Sequence, residues 1–127
     1  MKITREKVER MIELFEKFKS TQREIEKQLE AAGKDQIEIA MHLINHNYGE
    51  IELFDYINNL SKVEKDDLCV LFHFGQIFYN PTKEDFEFCK KNERYHSKQD
   101  IYDMLDKSLS KYLRNALMKL DVMNLNN

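Results

Sequence analysis

Apolar residues recur every three or four positions over most of the chain, and this spacing predicts helices. The pattern is longest at the N-terminus, where residues 4–33 are predicted to form one amphipathic helix that Gly33 ends. Its apolar stripe consists of Val8, Met11, Phe15, Phe18, Ile25 and Leu29. At 1.5 Å per residue this helix would be about 43 Å long, more than the width of a small domain. Part of the stripe is therefore expected to extend beyond the chain's own core.

Residues 35–123 are predicted to form the helical core, because side chains that cap helix starts precede its apolar segments. Asp35 with Glu38, and Ser61 with Glu64, have the spacing of a capping box. In the helix that follows Asp35, one apolar face is expected to point inward. That face comprises Ile37, Met41, Ile44 and Tyr48.

The helix that starts after Ser61 is the most apolar of the core and is expected to lie at its centre. Its buried face should extend to Phe78, and the Asn80–Pro81 pair should end it, because a residue before proline avoids the helical conformation. Gly75 would then lie inside the helix, at a cost of about 0.5–1 kcal/mol relative to alanine. Close approach of another helix at Gly75 is the expected reason; room for a ligand is the alternative.

Composition agrees with an all-α, single-domain bundle of six or seven helices over residues 1–127, with a long N-terminal helix. The 127 residues include only 3 Gly and 1 Pro, whereas sheet proteins need many tight turns. No apolar run approaches the roughly 20 residues of a membrane span, and the charged N-terminus does not resemble a secretory signal. A cytoplasmic location is expected, with Cys69 and Cys89 as free thiols.

Charge is distributed unevenly around a net value of −3. Residues 35–61 contain five acidic residues and neither Lys nor Arg. Nucleic-acid binding proteins concentrate positive charge, so DNA and RNA are not expected partners. A basic cluster at Lys90, Lys91, Arg94 and Lys98 is interpreted as a solvated helix end.

Glu38, His42 and His46 are the best candidates for metal ligands, because four-residue spacing places them on one side of a helix. The His-x-x-x-His spacing resembles that of zinc proteases, but Leu43 stands where their general-base glutamate follows the first histidine. A protease is thereby excluded. A polar helix face that binds no metal is preferred, and a divalent-metal site is the alternative.

Cys69 and His73 are also one helical turn apart, which raises the hypothesis of a thiol nucleophile with a base. Catalytic cysteines generally need an orienting partner for the histidine and a site that stabilises an oxyanion. A thiol in mid-helix rarely has either. Packing of Cys69 in the core is the preferred interpretation.

Residues 60–122 resemble the bacterial DUF3775 family, a domain of unknown function. The resemblance rests on LSKVEKDDLCVLFHFGQ, on EDFEF and on DIYDMLDKSLSKYLRNALMKL. The chain departs from the family pattern at three positions. Gln76 replaces the arginine of a Gly-Arg pair, Asp103 replaces the leucine of a first Tyr-Leu unit, and Ser108 replaces a proline. Tyr112-Leu113 matches the second Tyr-Leu unit. The resemblance implies a small helical bacterial protein and supplies no activity.

The sequence thus favours a non-enzymatic protein–protein interaction or regulatory module without a cofactor. Homodimerisation through the stripe of the first helix is expected, because a monomer seldom exposes a large apolar patch. The stripe could instead be covered by its own chain or by another protein. The alternative function is a small helical metal-binding enzyme or sensor that uses His42 and His46.

Overall fold

Residues 1–124, which the computed structural model describes, form seven helices and no strand. The helices are α1 (Arg5–Ala31), α2 (Gln36–Asn45), α3 (Glu50–Asn58), α4 (Lys62–Gly75), α5 (Lys83–Asn92), α6 (Lys98–Leu105) and α7 (Leu109–Val122). The all-α architecture with a long first helix, predicted from the sequence, is confirmed. The last three residues of the predicted domain lie outside the described range. None of the described helices is both long and apolar enough to cross a lipid bilayer.

Most helices begin where the sequence places a capping side chain. The Asp35 carboxylate accepts a hydrogen bond from the backbone N–H of Glu38 at 2.8 Å. The Ser61 hydroxyl accepts from Glu64 N–H at 3.1 Å, and the Glu64 carboxylate accepts from Ser61 N–H at 3.0 Å. Each bond satisfies a backbone donor that has no partner inside the helix. These caps fix where α2 and α4 start.

Helix α4 lies at the centre of the core and packs mainly against α7 and α5. Seven of its residues are buried, and they surround the helix axis: Leu68, Cys69, Val70, Leu71, Phe72, Phe74 and Gly75. Edge-to-face contacts join the rings of Phe74 and Phe86, and those of Phe72 and Tyr112, at centroid distances of 5.1 and 5.5 Å. A helical segment that is apolar on every side is stable when it is covered on every side, and the second half of α4 meets this condition except at the exposed His73.

Gly75 lies where α7 approaches α4 closely, as the sequence predicts. A Cβ atom at Gly75 would overlap the backbone carbonyl of Tyr112, with the carbonyl carbon only 2.7 Å away. The expected position of Gly75 inside the helix is wrong, however, because α4 ends at this residue, well before Asn80–Pro81. The Lys119 ammonium of α7 donates to the carbonyl of Phe74 in the last turn of α4, at 3.2 Å, and to the carbonyl of Ile77 in the connection that follows.

The early end of α4 changes the position of Phe78. This residue was expected on the buried face, but its side chain is 98% exposed in the connection to α5. A ligand space between Phe72, Phe74 and Phe78 is therefore absent, because Phe72 and Phe74 are buried in the core and Phe78 projects into solvent.

The first half of α1 belongs to the core of its own chain. Val8, Met11, Phe15 and Phe18 are each at most 4% exposed, covered where α1 packs on α7 and α3. Their predicted role in an interface with a second copy is wrong, since no partner can reach them. Ile25 and Leu29, in the second half of α1, are half-buried, and this half pairs with α2.

Candidate interaction surface on the second helix

Helix α2 is apolar on two opposite sides. Its ten residues, QIEIAMHLIN, include a single charged side chain, that of Glu38. The Glu38 carboxylate accepts the backbone N–H of Asp35 within the capping box and lies 3.6 Å from the Lys34 ammonium. Such a composition is typical of a helix that is covered on every side.

The chain covers only one side of α2, and it is not the side that the sequence predicts. Ile39 is 2% exposed and faces the molecule, with Leu43 half-buried beside it. The face expected to be buried is turned to solvent: Ile37 is 76% exposed, Met41 54% and Ile44 76%. The spacing of apolar residues fits both sides, and contact with the second half of α1 determines which side is covered.

We call Ile37, Met41 and Ile44 the outer face of α2. At 100° per residue they share one line along the helix, and from residue 37 to residue 44 they span about 10 Å. Two surface hollows adjoin this face. The first, of about 410 Å³, lies between α2 and the end of α1 and includes Leu29, Ile37 and Met41.

The second hollow, of about 350 Å³, lies between α2, α3 and α6 and includes Ile44, Ile51, Phe54 and Tyr102. Ile51 and Tyr102 are themselves 58% and 47% exposed. Asn45 lines both hollows. The outer face and the two hollows are therefore contiguous, and their apolar side chains extend from the end of α1 to α6 among polar ones.

The histidines predicted as metal ligands are adjacent, but their geometry does not suit chelation. The imidazole rings of His42 and His46 stack at a centroid distance of 4.0 Å and an interplanar angle of 17°. Nitrogen lone pairs lie in the ring plane, so those of stacked rings run side by side and do not converge. His42 Nε2 lies 2.5 Å from the Tyr48 hydroxyl, and His46 Nδ1 donates to the backbone carbonyl of His42 at 2.8 Å.

Glu38, the third predicted ligand, is held in the capping box at the start of α2. Within residues 1–124, the structure brings together no group of three or more His, Cys, Asp and Glu side chains that could hold a metal ion.

Cys69 does not form a nucleophile with His73. The Cys69 side chain is buried, and burial, with a smaller effect from the charge of Asp100, raises the pKa of its thiol to about 12. The thiol is therefore protonated at neutral pH. The His73 imidazole is directed to the Glu93 carboxylate instead, with 3.2 Å between Nε2 and Oε2.

Three members of the basic cluster lie at the end of α5, as the sequence suggests, whereas Lys98 begins α6. The Arg94 guanidinium donates to the backbone carbonyls of Lys90 and Glu93 at 2.5 and 2.6 Å. A cation that caps carbonyls at a helix C-terminus stabilises the helix and does not require an external anion.

A cavity of about 510 Å³ lies between the N-terminal segment, α5 and α7. Its floor is apolar, and the two cations at its margin are already paired. Arg5 forms two hydrogen bonds with the Asp121 carboxylate, at 2.9 and 3.0 Å, and Lys90 lies 3.7 Å from Glu87. The charged side chains of Arg5 and Lys90 are therefore engaged by carboxylates of the chain itself.

No protein family, no curated protein and no solved structure matches the chain. The resemblance of residues 60–122 to the DUF3775 family stays a prediction. The surface of α2 lies outside that range, so the resemblance carries no information about it.

Proposed function

We propose that this protein is a non-enzymatic protein–protein interaction module and that it binds its partner through the outer face of α2. The observation that supports the proposal is the exposure of Ile37, Met41 and Ile44 on a helix with the composition of a covered one. Contiguous apolar side chains on the surface of a soluble domain mark contact sites more often than they occur without a role.

The energetic argument is favourable for a modest interface. Complete burial of an aliphatic side chain contributes about 1.5–3 kcal/mol. In the folded chain, each residue of the outer face still has more than half of its surface exposed to solvent. A partner that covers the three side chains would gain several kcal/mol before the costs of association. Ile51 and Tyr102 would add to this gain if the partner extends across the second hollow.

Homodimerisation, expected from the sequence, would require a different contact surface. Four of the six stripe residues in α1 are buried, so a twofold contact would have to use the outer face of α2 together with the half-buried Ile25 and Leu29.

A cytoplasmic location is part of the proposal as well. Cys69 and Cys89 are both free thiols, and free thiols agree with a reducing compartment.

A photo-crosslinking amino acid at position 44 tests the proposed surface in living cells. We expect a specific crosslinked product, because the partner would lie against this side chain. The matched control carries the same amino acid at position 118, where Met118 is 59% exposed on α7. The product should form from position 44 and not from position 118.

The Ile37→Glu substitution, added to the chain that carries the crosslinker at position 44, should remove the product. A carboxylate at position 37 would be desolvated under the partner, and its exposure in the free protein leaves the fold unaffected. Equal products from positions 44 and 118, or none from either, would contradict the proposal.

A further inference from the structure

The surface beside the outer face of α2 carries an excess of negative charge. Three charged residues line the two hollows, namely Lys34, Glu38 and Glu50. Lys34 and Glu38 lie 3.6 Å apart and neutralise each other. Glu50 is exposed and forms no ion pair within residues 1–124. The net charge of the lining is therefore negative when the histidines are neutral.

The residues around the hollows strengthen this asymmetry. The five acidic residues between positions 35 and 61 are accompanied by no Lys or Arg. Glu52 faces Arg10 at 3.8 Å, and Asp35 caps α2. Asp55, one turn after Ile51 on α3, is exposed and forms no ion pair within the described part of the chain. Two acids near the second hollow thus lack a cation.

A second copy of the chain is a poor occupant of this surface. A twofold contact that places α3 against α3 would bring Glu50 and Asp55 of one chain towards the same acids of the other. Like charges across an interface oppose association, whereas complementary charges favour it and select the partner. A partner with positive charge beside an apolar surface is favoured instead.

The dimensions of the surface suit a helix. Ile37 and Ile44 lie about 10 Å apart along α2, with one hollow beside each of them. In an amphipathic helix, apolar residues separated by seven positions are the same distance apart and lie on one side. A helix laid along α2 would place such residues into the two hollows, in the mode by which amphipathic helices bind apolar grooves.

Building on the proposed function, we infer that the partner contributes a basic amphipathic helix, with apolar residues at positions i, i+3 or i+4, and i+7 flanked by Lys or Arg. The apolar side chains fill the two hollows against Ile37, Met41 and Ile44. The basic side chains face Glu50 and Asp55.

A pair of synthetic peptides tests this inference on the full-length protein. Each is a fluorescein-labelled amphipathic helix of about four turns, with leucine at the heptad positions. One peptide carries lysines on the flanks, and its twin carries glutamates there. By fluorescence anisotropy, we expect the lysine peptide to bind at least about tenfold more tightly than the glutamate peptide, and we expect high salt to reduce this difference.

Two sets of variants separate the apolar from the electrostatic contribution. Ile44→Ser should weaken the binding of both peptides, whereas Met118→Ser, on the exposed side of α7, should weaken neither. Glu50→Gln combined with Asp55→Asn should leave the apolar contact intact and bring the two affinities closer together.

The inference on the partner can fail while the proposed function holds. Equal binding of the two peptides would overturn the basic character of the partner. A dimer of the wild-type chain in sedimentation that Ile44→Ser dissociates would show a second copy on this surface. No binding of either peptide, with crosslinking from position 44 retained, would overturn the helical class. Loss of that crosslinking as well would contradict the proposed function itself.

Discussion

Helices α2 and α4 are both rich in apolar residues, yet the chain buries far more of α4 than of α2. Seven of the eight residues of α4 from Leu68 to Gly75 are buried against α7, α5 and the rest of the core, His73 being the exception. Helix α2 packs on the second half of α1, and Ile39 is its one fully buried side chain. The apolar composition of a helix indicates how much of its surface needs to be buried. The neighbouring elements determine how much of that surface the chain itself buries.

The difference follows from the length of α1. Its first half lies over the core, where α7 and α3 cover Val8 and Phe15. Its second half precedes the turn at Gly33, after which α2 packs against α1. In this part of the molecule α1 and α2 form a simple pair of helices, so no other described helix covers the outer face of α2. A partner protein would take the place that α7 holds for α4.

The largest expected effect is on α4. Leu68 is fully buried, and Leu68→Ala should lower the free energy of unfolding by about 2–5 kcal/mol, because it leaves a cavity in the core. Urea unfolding followed by circular dichroism measures this change. The control is Val63→Ala in the same helix, where the side chain is 50% exposed and the loss should stay under about 0.5 kcal/mol. Similar losses in both variants would mean that α4 is not the centre of the core.

The contact between α4 and α7 at Gly75 should be nearly as sensitive. Gly75→Ala places a methyl group against the backbone of Tyr112, which cannot move as a side chain can, and should cost about 1–3 kcal/mol despite the better helix propensity of alanine. Thermal unfolding should show a lower Tm. At Gly33, where no atom lies within 4 Å of a Cβ and φ is +83°, alanine would introduce backbone strain alone. A raised Tm for Gly75→Ala would show that α4 and α7 are further apart.

A smaller loss is expected from the cation that closes the end of α4. Lys119→Met removes the donor to the carbonyls of Phe74 and Ile77 and should cost about 1 kcal/mol, the usual contribution of a hydrogen bond with a helix C-terminus. Lys91→Met, at an exposed position on α5, is the control for the change in charge. Equal stability of the two variants would indicate that water replaces Lys119 at these carbonyls.

The sequence predicts the elements of the fold better than their surroundings. Capping side chains such as Asp35 and Ser61 act within a few residues, so helix starts can be recognised locally. The carbonyl of Gly75 at the end of α4 accepts a hydrogen bond from Lys119, which is 44 residues away in the chain, and no local pattern predicts this contact. The same limit explains why Phe78 was expected in the core.

The candidate site shows this limit most clearly. The sequence identifies both apolar sides of α2, because Ile37, Met41 and Ile44 on one side and Ile39 and Leu43 on the other fit a helical period. It does not identify which side α1 covers. A useful signal was present, since a ten-residue helix with a single charged side chain is too apolar for a surface position with one covered face.

The smallest expected effect on stability is at the outer face of α2, and it separates folding from binding. Ile44→Ala removes a side chain that is 76% exposed, so the free energy of unfolding should change by less than about 0.5 kcal/mol. Ile39→Ala, five residues earlier and 2% exposed, should destabilise the pair of α1 and α2 by about 2 kcal/mol or more. Hydrogen exchange measured residue by residue resolves both changes, because α2 has fewer covering elements than α4 and should open first. If Ile44→Ala instead destabilises α2 as strongly as Ile39→Ala, the chain covers both faces in solution, and no surface is left for a partner.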